Sequence, residues 1–218
     1  AFEEPIVREI IDDRPAGAAL DAACGTGRYA EYLVDRGHRV IGVDSSPDML
    51  AKALDRVPDA EFREGDLHRL PVDDDAMDLV VCSLALTHVS DLGPVMAEFA
   101  RVLRPGGRLV VSDAHHETVF LGSLPAVVLP DGQRGRLPAY RHLAGDYVRA
   151  ALPAGLQVRR CEEPRHPLGV EGPVPDAATD VGPWHVWPWS LAEMVPEADR
   201  AARAGTRITI IWEFELVR

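Results

Sequence analysis

The chain has 218 residues, of which 46% are hydrophobic, and it carries a formal net charge of −12 at pH 7. This length and apolar content suit one domain with a substantial core, over residues 1–218, and no stretch is long and apolar enough to span a bilayer. The acidic balance argues against a nucleic-acid partner, which needs basic surface, so we expect a small-molecule ligand. Because the chain shows neither a membrane-spanning stretch nor a basic-plus-apolar leader, we expect a cytoplasmic protein with no membrane partner.

A glycine-containing turn follows the first predicted strand. After a helix predicted over residues 2–14, a short strand at residues 20–22, apolar except for Asp21, leads into Ala23-Cys24-Gly25-Thr26-Gly27 and then into a helix predicted over 29–36. Small residues let backbone N–H groups approach a ligand, and the start of the next helix adds unpaired donors. Asp21 at the mouth of the turn would repel a pyrophosphate and attract a cationic group. The turn therefore predicts a site for a ligand with a cationic group.

Acidic residues end the next two predicted strands. Residues 38–43 lead to Asp44, which lies about 20 residues beyond the glycine turn, a spacing suited to bonding a ribose diol. The third strand ends on Asp66, followed by Leu67. A fourth strand is predicted over 78–84, and residues 103–113 form a helix end, a Pro-Gly-Gly turn and a fifth strand. Helices predicted over 46–56 and 92–103 alternate with these strands, as is typical of a parallel sheet covered on both faces.

Residues 18–113 carry all of these motifs, and through them the chain resembles the class I S-adenosylmethionine-dependent methyltransferases of the small-molecule type. The resemblance implies an α/β, doubly wound, Rossmann-like methyltransferase fold with a mostly parallel sheet. The last strand of the sheet, predicted over 206–216, would be antiparallel to its neighbour. The cofactor would be S-adenosyl-L-methionine.

The resemblance also implies which residues hold that cofactor. The methionine end would contact the turn at Asp21, Ala23, Gly25 and Gly27. The ribose would bond Asp44 after strand two, with Ser45 and Met49 beside it, and the adenine would bond Asp66 with Leu67 after strand three. The ammonium would meet the backbone carbonyl of Ser83 or Leu84 after strand four. Ala23 stands where the family often has glycine, and we expect its backbone to lie in the ordinary β region.

Two segments rich in proline and glycine interrupt the second half of the chain. Residues 115–138 are predicted as an irregular insert before a helix over 139–152. Residues 164–189, which hold Trp184, His185, Trp187 and Trp189, form a second insert after a strand over 156–161. Long loops in a compact domain are usually lids or binding loops. We expect the two inserts to form the acceptor pocket and part of its lid, although the tryptophans would equally suit a cover over the sheet.

Histidines near the ends of strands four and five are candidates for a general base, namely His88, His115 and His116. The alternative for each is a loop or cap histidine, and an acceptor that is already nucleophilic needs no base. The three cysteines, Cys24, Cys82 and Cys161, show no metal-ligand spacing, so no metal site is expected.

The predicted reaction is methyl transfer to a small organic acceptor, such as a secondary metabolite, on oxygen, with nitrogen and carbon as less favoured atoms. Two other classes stay open. Residues 25–30 satisfy the G-x-G-x-x-[G/A] pattern, so an NAD-dependent oxidoreductase is one alternative. A protein of the same fold that binds the cofactor without methyl transfer is the other.

Overall fold

The computed structural model describes residues 3–121, 126–128, 132, 134–166, 176 and 194–217. Nine strands occur in these residues. They are β1 (Ala18–Ala22), β2 (Arg39–Asp44), β3 (Glu61–Glu64), β4 (Met77–Ser83), β5 (Leu103–Ala114), β6 (Ala126–Val128), β7 (Arg134–Arg136), β8 (Leu156–Glu162) and β9 (Thr209–Leu216).

Seven helices of the described residues alternate with the strands. They are α1 (Glu4–Asp12), α2 (Arg28–Asp35), α3 (Pro47–Arg56), α4 (Leu92–Val102), α5 (His116–Phe120), α6 (Ala144–Ala151) and α7 (Pro196–Arg203). A 3₁₀ turn, Leu86–His88, follows β4, and a second, Leu152–Ala154, follows α6. No helix in the described part of the chain is long and apolar enough to cross a membrane.

A seven-stranded sheet forms the centre of the molecule, in the order β3-β2-β1-β4-β5-β9-β8. The pairs from β3 to β5 are parallel, whereas β9 runs antiparallel to both β5 and β8. This confirms the predicted fold class, including the antiparallel C-terminal strand. Because the parallel strands share one direction, the loops after β1, β2 and β4 meet at a single edge of the sheet.

Helices cover the sheet on both faces. Phe99 of α4 and Tyr147 of α6 are buried on one face, and Ile11 of α1 and Leu33 of α2 are buried on the other. Burying a side chain of this size contributes roughly 1.5–3 kcal/mol. The strands between the two layers are correspondingly apolar, and all five residues of β1 are buried.

The predicted elements after β5 differ from the structure. Within residues 115–138, predicted as irregular, the described residues form α5 and the antiparallel pair β6–β7. The helix predicted from residue 139 begins at Ala144, because the backbone before it bonds the 3₁₀ turn: Tyr140 N–H donates to the Thr87 carbonyl at 2.7 Å. Most of the second insert, including its three tryptophans and His185, lies outside the described residues.

Candidate functional site

A cavity of about 1100 Å³ opens at the carboxyl edge of β1, β2 and β4. Its volume is slightly above the range of roughly 300–1,000 Å³ usual for sites that hold a small molecule or cofactor. The lining contains most of the residues predicted for the site from sequence, namely Asp21, Ala23, Gly25, Asp44, Ser45, Met49, Asp66, Leu67, Ser83, Leu84 and His88. Residues separated by more than 60 positions in the chain therefore meet in one concave surface.

The glycine turn bends sharply because three of its residues have left-handed backbone: Ala23 (φ 58°), Gly25 (φ 53°) and Gly27 (φ 79°). For Ala23 the expected β conformation is wrong, and its methyl group carries the strain that a glycine would avoid. A Cβ atom built on Gly25 would meet nothing within 4 Å, so this backbone faces open space at the cavity. A ligand can therefore approach the turn closely at Gly25.

Gly27 lies in a different environment from Gly25. It stands at the N-cap of α2, and a Cβ atom there would lie 3.2 Å from the Cβ of Ala53 on α3. The described lining of the cavity does not include it. The structure thus places Gly27 in a contact between two helices rather than at the ligand surface.

Asp21 joins the end of β1 to the start of α2. Its Oδ2 accepts a hydrogen bond from Ala30 N–H at 2.8 Å, and the residue is 2% exposed. Burial raises the pKa of this carboxyl to about 7. Its position on the cavity lining agrees with a role toward a cationic group, which would stabilise the ionised form.

Asp44 ties the end of β2 to both neighbouring loops. Its Oδ2 accepts from Gly25 N–H at 2.8 Å, and its Oδ1 accepts from Ser46 N–H at 2.9 Å. Each oxygen keeps a second lone pair that can accept a ligand hydroxyl. The glycine turn and the predicted ribose-binding acid therefore form one hydrogen-bonded unit.

Asp66 follows β3 and is exposed. Its Oδ1 accepts from His68 N–H at 2.7 Å and lies 2.5 Å from His68 Nδ1. The backbone hydrogen bond from His68 holds the pKa of Asp66 below its usual value, so the group is a carboxylate at neutral pH. Such an acceptor suits the exocyclic amino group of a base.

Strand β4 ends at Ser83, whose Oγ accepts from Ser112 Oγ–H at 2.8 Å. The next residue, Leu84, has φ 56° and is 44% exposed. A left-handed leucine costs about 1–2 kcal/mol, and such outliers cluster at ligand sites. The chain turns here from the sheet into the wall of the cavity.

Of the three histidines predicted as candidate bases, His88 lines the cavity. Its Nδ1 lies 2.7 Å from the Pro138 carbonyl, and because a carbonyl only accepts, Nδ1 carries the proton. In the neutral ring, Nε2 is then a proton acceptor. Leu137, in the insert predicted for the acceptor pocket, and Tyr140, just after that insert, line the same wall.

His115 and His116 lie off the described lining. His115 is completely buried; its Nδ1 accepts from Glu117 N–H at 3.1 Å, and its Nε2 is 2.9 Å from Glu163 Oε1. His115 thus caps α5 with both nitrogens engaged. Burial lowers the pKa of His116, which packs 4.1 Å from the His115 ring between centroids. The position of these two residues disagrees with the predicted role as a base.

Two of the described acids near this pair, Glu117 and Glu163, are both paired with Arg207. The cluster of His115, His116 and Glu117 therefore has its charges satisfied by protein groups. We assign no cation to it.

The chemistry of the lining changes across the cavity. One part presents turn amides and the carboxylates of Asp21, Asp44 and Asp66, and the other presents the apolar side chains of Leu84, Ala85, Val89, Leu137 and Pro138. The first part fits the amino, hydroxyl and base groups of a nucleoside with an amino-acid side arm. The second fits a mainly apolar small molecule beside it.

Comparison with known proteins gives a family match in the same region. Residues 20–111 match the model described as "Methyltransferase domain". A malonyl-[acyl-carrier protein] O-methyltransferase from Serratia marcescens is 35% identical over 158 residues, covering 72% of this chain and 56% of the relative. A demethylmenaquinone methyltransferase from Renibacterium salmoninarum is 37% identical over 113 residues, covering 52% and 48%. The chain spans about half the length of the curated relatives it matches.

Solved structures agree on the fold. An S-adenosylmethionine-dependent methyltransferase from Mesorhizobium loti superposes with a TM-score of 0.68 at 21% identity, covering 99% of this chain and 98% of the other.

Proposed function

We propose that this chain, whose residues 20–111 match a methyltransferase domain, is an S-adenosylmethionine-dependent methyltransferase that transfers a methyl group to the oxygen of a small organic acceptor. The observation that carries the proposal is the cavity itself. It unites the glycine turn, Asp44, Asp66 and Ser83 with an apolar half next to Leu84.

The residues fit the cofactor in chemistry and space. The open surface at Gly25 admits the methionine end, the free lone pairs of Asp44 accept the ribose hydroxyls, and Asp66 with Leu67 faces the adenine. The carbonyl at Ser83 or Leu84 accepts from the ammonium. When bound, the cofactor supplies a methyl group already activated by a positively charged sulfur.

The protein then has three tasks: to align the acceptor, to exclude water and to take a proton. The apolar wall at Leu84, Val89 and Leu137 holds the acceptor and keeps water out. His88 Nε2 takes the hydroxyl proton as the acceptor oxygen becomes a nucleophile. The two inserts, at about 115–138 and 164–189, complete the acceptor pocket as a lid.

Oxygen is favoured as the methylated atom because a hydroxyl needs a base, and a histidine lines the acceptor half of the cavity. The name of the Serratia marcescens relative, an O-methyltransferase, supports the same choice. The chain's net charge of −12 supports a small acceptor rather than a nucleic acid.

The test is transfer of a labelled methyl group from S-adenosylmethionine to a panel of phenols, carboxylic acids, amines and carbon nucleophiles. The expected result is turnover with hydroxyl or carboxyl acceptors, and a loss of roughly 10²–10⁴-fold in His88→Gln for hydroxyl acceptors. His38→Gln, at the amino end of β2 and off the described lining, is the matched control and should retain turnover. Turnover with amines alone would contradict oxygen transfer. Cofactor binding with no acceptor methylated in a broad panel would indicate a binding protein.

A further inference from the structure

Arg28 is a cavity residue that the sequence did not mark as part of the site. It is the first residue of α2, directly after the glycine turn, and its guanidinium stacks 4.5 Å from the centre of the Tyr29 ring. Its Nη2 lies 3.4 Å from Ser83 Oγ. The side chain is 35% exposed, so one part of the guanidinium faces the cavity.

Two carboxylates of the N-terminal helix region hold this guanidinium, and they are not equivalent. Glu3 Oε1 lies 2.8 Å from Arg28 Nη2, and the Glu3 side chain is 2% exposed. Glu4 Oε2 lies 3.5 Å from Arg28 Nη1, and its side chain is 24% exposed. Glu4 also pairs with Arg8 one helical turn further on. Glu3 therefore depends on Arg28 for its compensation, whereas Glu4 has a second cation available.

We propose that Arg28 binds the carboxylate of the ligand's amino-acid moiety through the guanidinium edge that it now shares with Glu4. On binding, Glu4 turns to Arg8, while Glu3 stays on Nη2 and keeps the guanidinium aimed at the cavity. This inference rests on the proposed function, because the amino acid in question is the methionine part of the cofactor.

The location of the ammonium determines where the carboxylate must lie. An α-ammonium at the carbonyl of Ser83 or Leu84 leaves the carboxylate one carbon away, and Arg28 reaches the Ser83 side chain. Arg56, the other arginine in the described lining, bonds Thr26 Oγ1 at the end of α3 instead. Of the two arginines in the described lining, Arg28 is therefore the one placed to bind the carboxylate.

Charge makes such a contact necessary. Asp21 lines this end of the cavity, and Glu3 and Glu4 lie against the Arg28 guanidinium, so an entering carboxylate is repelled unless a cation meets it. A guanidinium can bind two carboxylates at once through different edges, which a lysine cannot do as well. Competition from Glu4 should therefore lower the affinity for a ligand that carries the carboxylate.

The experiment compares two ligands by calorimetry: S-adenosylhomocysteine, which has the amino-acid moiety, and 5′-methylthioadenosine, which lacks it. In Arg28→Met, affinity for S-adenosylhomocysteine should fall by roughly 10- to 100-fold, as for a lost charge-assisted bond, with 5′-methylthioadenosine unchanged. Arg56→Met removes the other arginine of the described lining, which bonds Thr26 and not Ser83; it is the matched control and should not discriminate between the two ligands in this way. Circular dichroism and thermal melting verify folding of each variant.

Two further variants keep the proposal testable if Arg28→Met does not fold. Arg28→Lys retains the charge beside Glu3 and should still lose affinity for S-adenosylhomocysteine selectively. Glu4→Gln removes the competitor and should raise that affinity alone. Equal losses for both ligands, or unchanged binding of S-adenosylhomocysteine, would overturn the role of Arg28 and leave the proposed function standing. Failure of the wild type to bind either ligand would overturn both.

Discussion

Strain at Ala23 sets the conformation of the glycine turn at the level of a single residue. The alanine is held at φ 58° between buried β1 and a turn whose other bends fall on glycines. A non-glycine residue in this region costs about 1–2 kcal/mol, which the surrounding packing and hydrogen bonds must offset. The hydrogen bond from Cys24 N–H to the Val43 carbonyl, at 2.9 Å, is one of these restraints.

Ala23→Gly should therefore stabilise the protein by about 1 kcal/mol, since glycine accepts positive φ without the Cβ clash. Urea unfolding followed by circular dichroism measures the change. Ala22→Gly, next to it in regular buried strand, is the control and should destabilise. If Ala23→Gly is also less stable than the wild type, the left-handed conformation of Ala23 is wrong.

Asp113 is a buried acid outside the described lining of the cavity. It is 0% exposed, its Oδ2 accepts from Tyr147 Oη–H at 3.2 Å, and its Oδ1 accepts from Ala114 N–H at 2.8 Å. Burial raises its pKa to about 7. In the unfolded chain the carboxyl titrates near 4, so between these two pH values the folded state binds the extra proton.

The contribution of Asp113 to stability should consequently decrease as the pH rises from about 4 to about 7, by roughly 1 kcal/mol per pH unit within that window. Asp113→Asn cannot ionise and lacks this dependence. Unfolding free energies at pH 5 and pH 8 should show the wild type losing stability relative to Asp113→Asn. Asp146→Asn, at an exposed carboxylate of lowered pKa, is the control and should show no such change. A constant difference between the wild type and Asp113→Asn would contradict the raised pKa.

At the level of elements, the two glycines of the β1–α2 turn serve different surfaces. A side chain at Gly25 would project into open space at the cavity, whereas one at Gly27 would press on Ala53 of α3. Both have positive φ, so both substitutions carry backbone strain. Because the added side chain would meet the ligand surface at Gly25 but Ala53 at Gly27, the two substitutions should have different effects.

Gly25→Val should fold, with reduced stability, and should lose binding of S-adenosylhomocysteine because the side chain occupies the ligand surface. Gly27→Val should mainly destabilise the packing of α2 against α3 and lower the melting temperature more. Thermal melting and calorimetry on the same samples distinguish the two. Normal ligand binding by a folded Gly25→Val protein would show that the turn does not contact the ligand.

The elements that form the site were predictable because strand and helix patterns alternate regularly up to β5. The helix from residue 139 was not, because its start depends on the bond from Tyr140 to Thr87, between residues 53 positions apart. At the site, acids at strand ends marked Asp44 and Asp66. Arg28 was missed because an arginine after a glycine turn resembles any solvated first-turn residue, although its place at the start of α2 was an available signal.

On the scale of the whole molecule, the parallel strands bring short sequence motifs to one edge of the sheet, where the cavity opens. The family match ends at residue 111, close to the end of β5. Beyond it, the chain supplies the antiparallel strand β9 and the part of the acceptor wall around Leu137 and Tyr140. The cofactor half of the cavity thus lies in the matched region, and the acceptor half combines residues of that region with Leu137, Pro138 and Tyr140, which follow it.

The central claim, that the cavity holds S-adenosylmethionine through the turn and Asp44, is tested most directly by calorimetry with S-adenosylhomocysteine. The wild type should bind it and should not bind NAD. Asp44→Ala should remain folded and lose roughly 1.5–3 kcal/mol of binding free energy, because bonds to both ribose hydroxyls and the tether to Gly25 N–H are removed. Unchanged affinity in Asp44→Ala, or binding of NAD in place of S-adenosylhomocysteine, would contradict the claim.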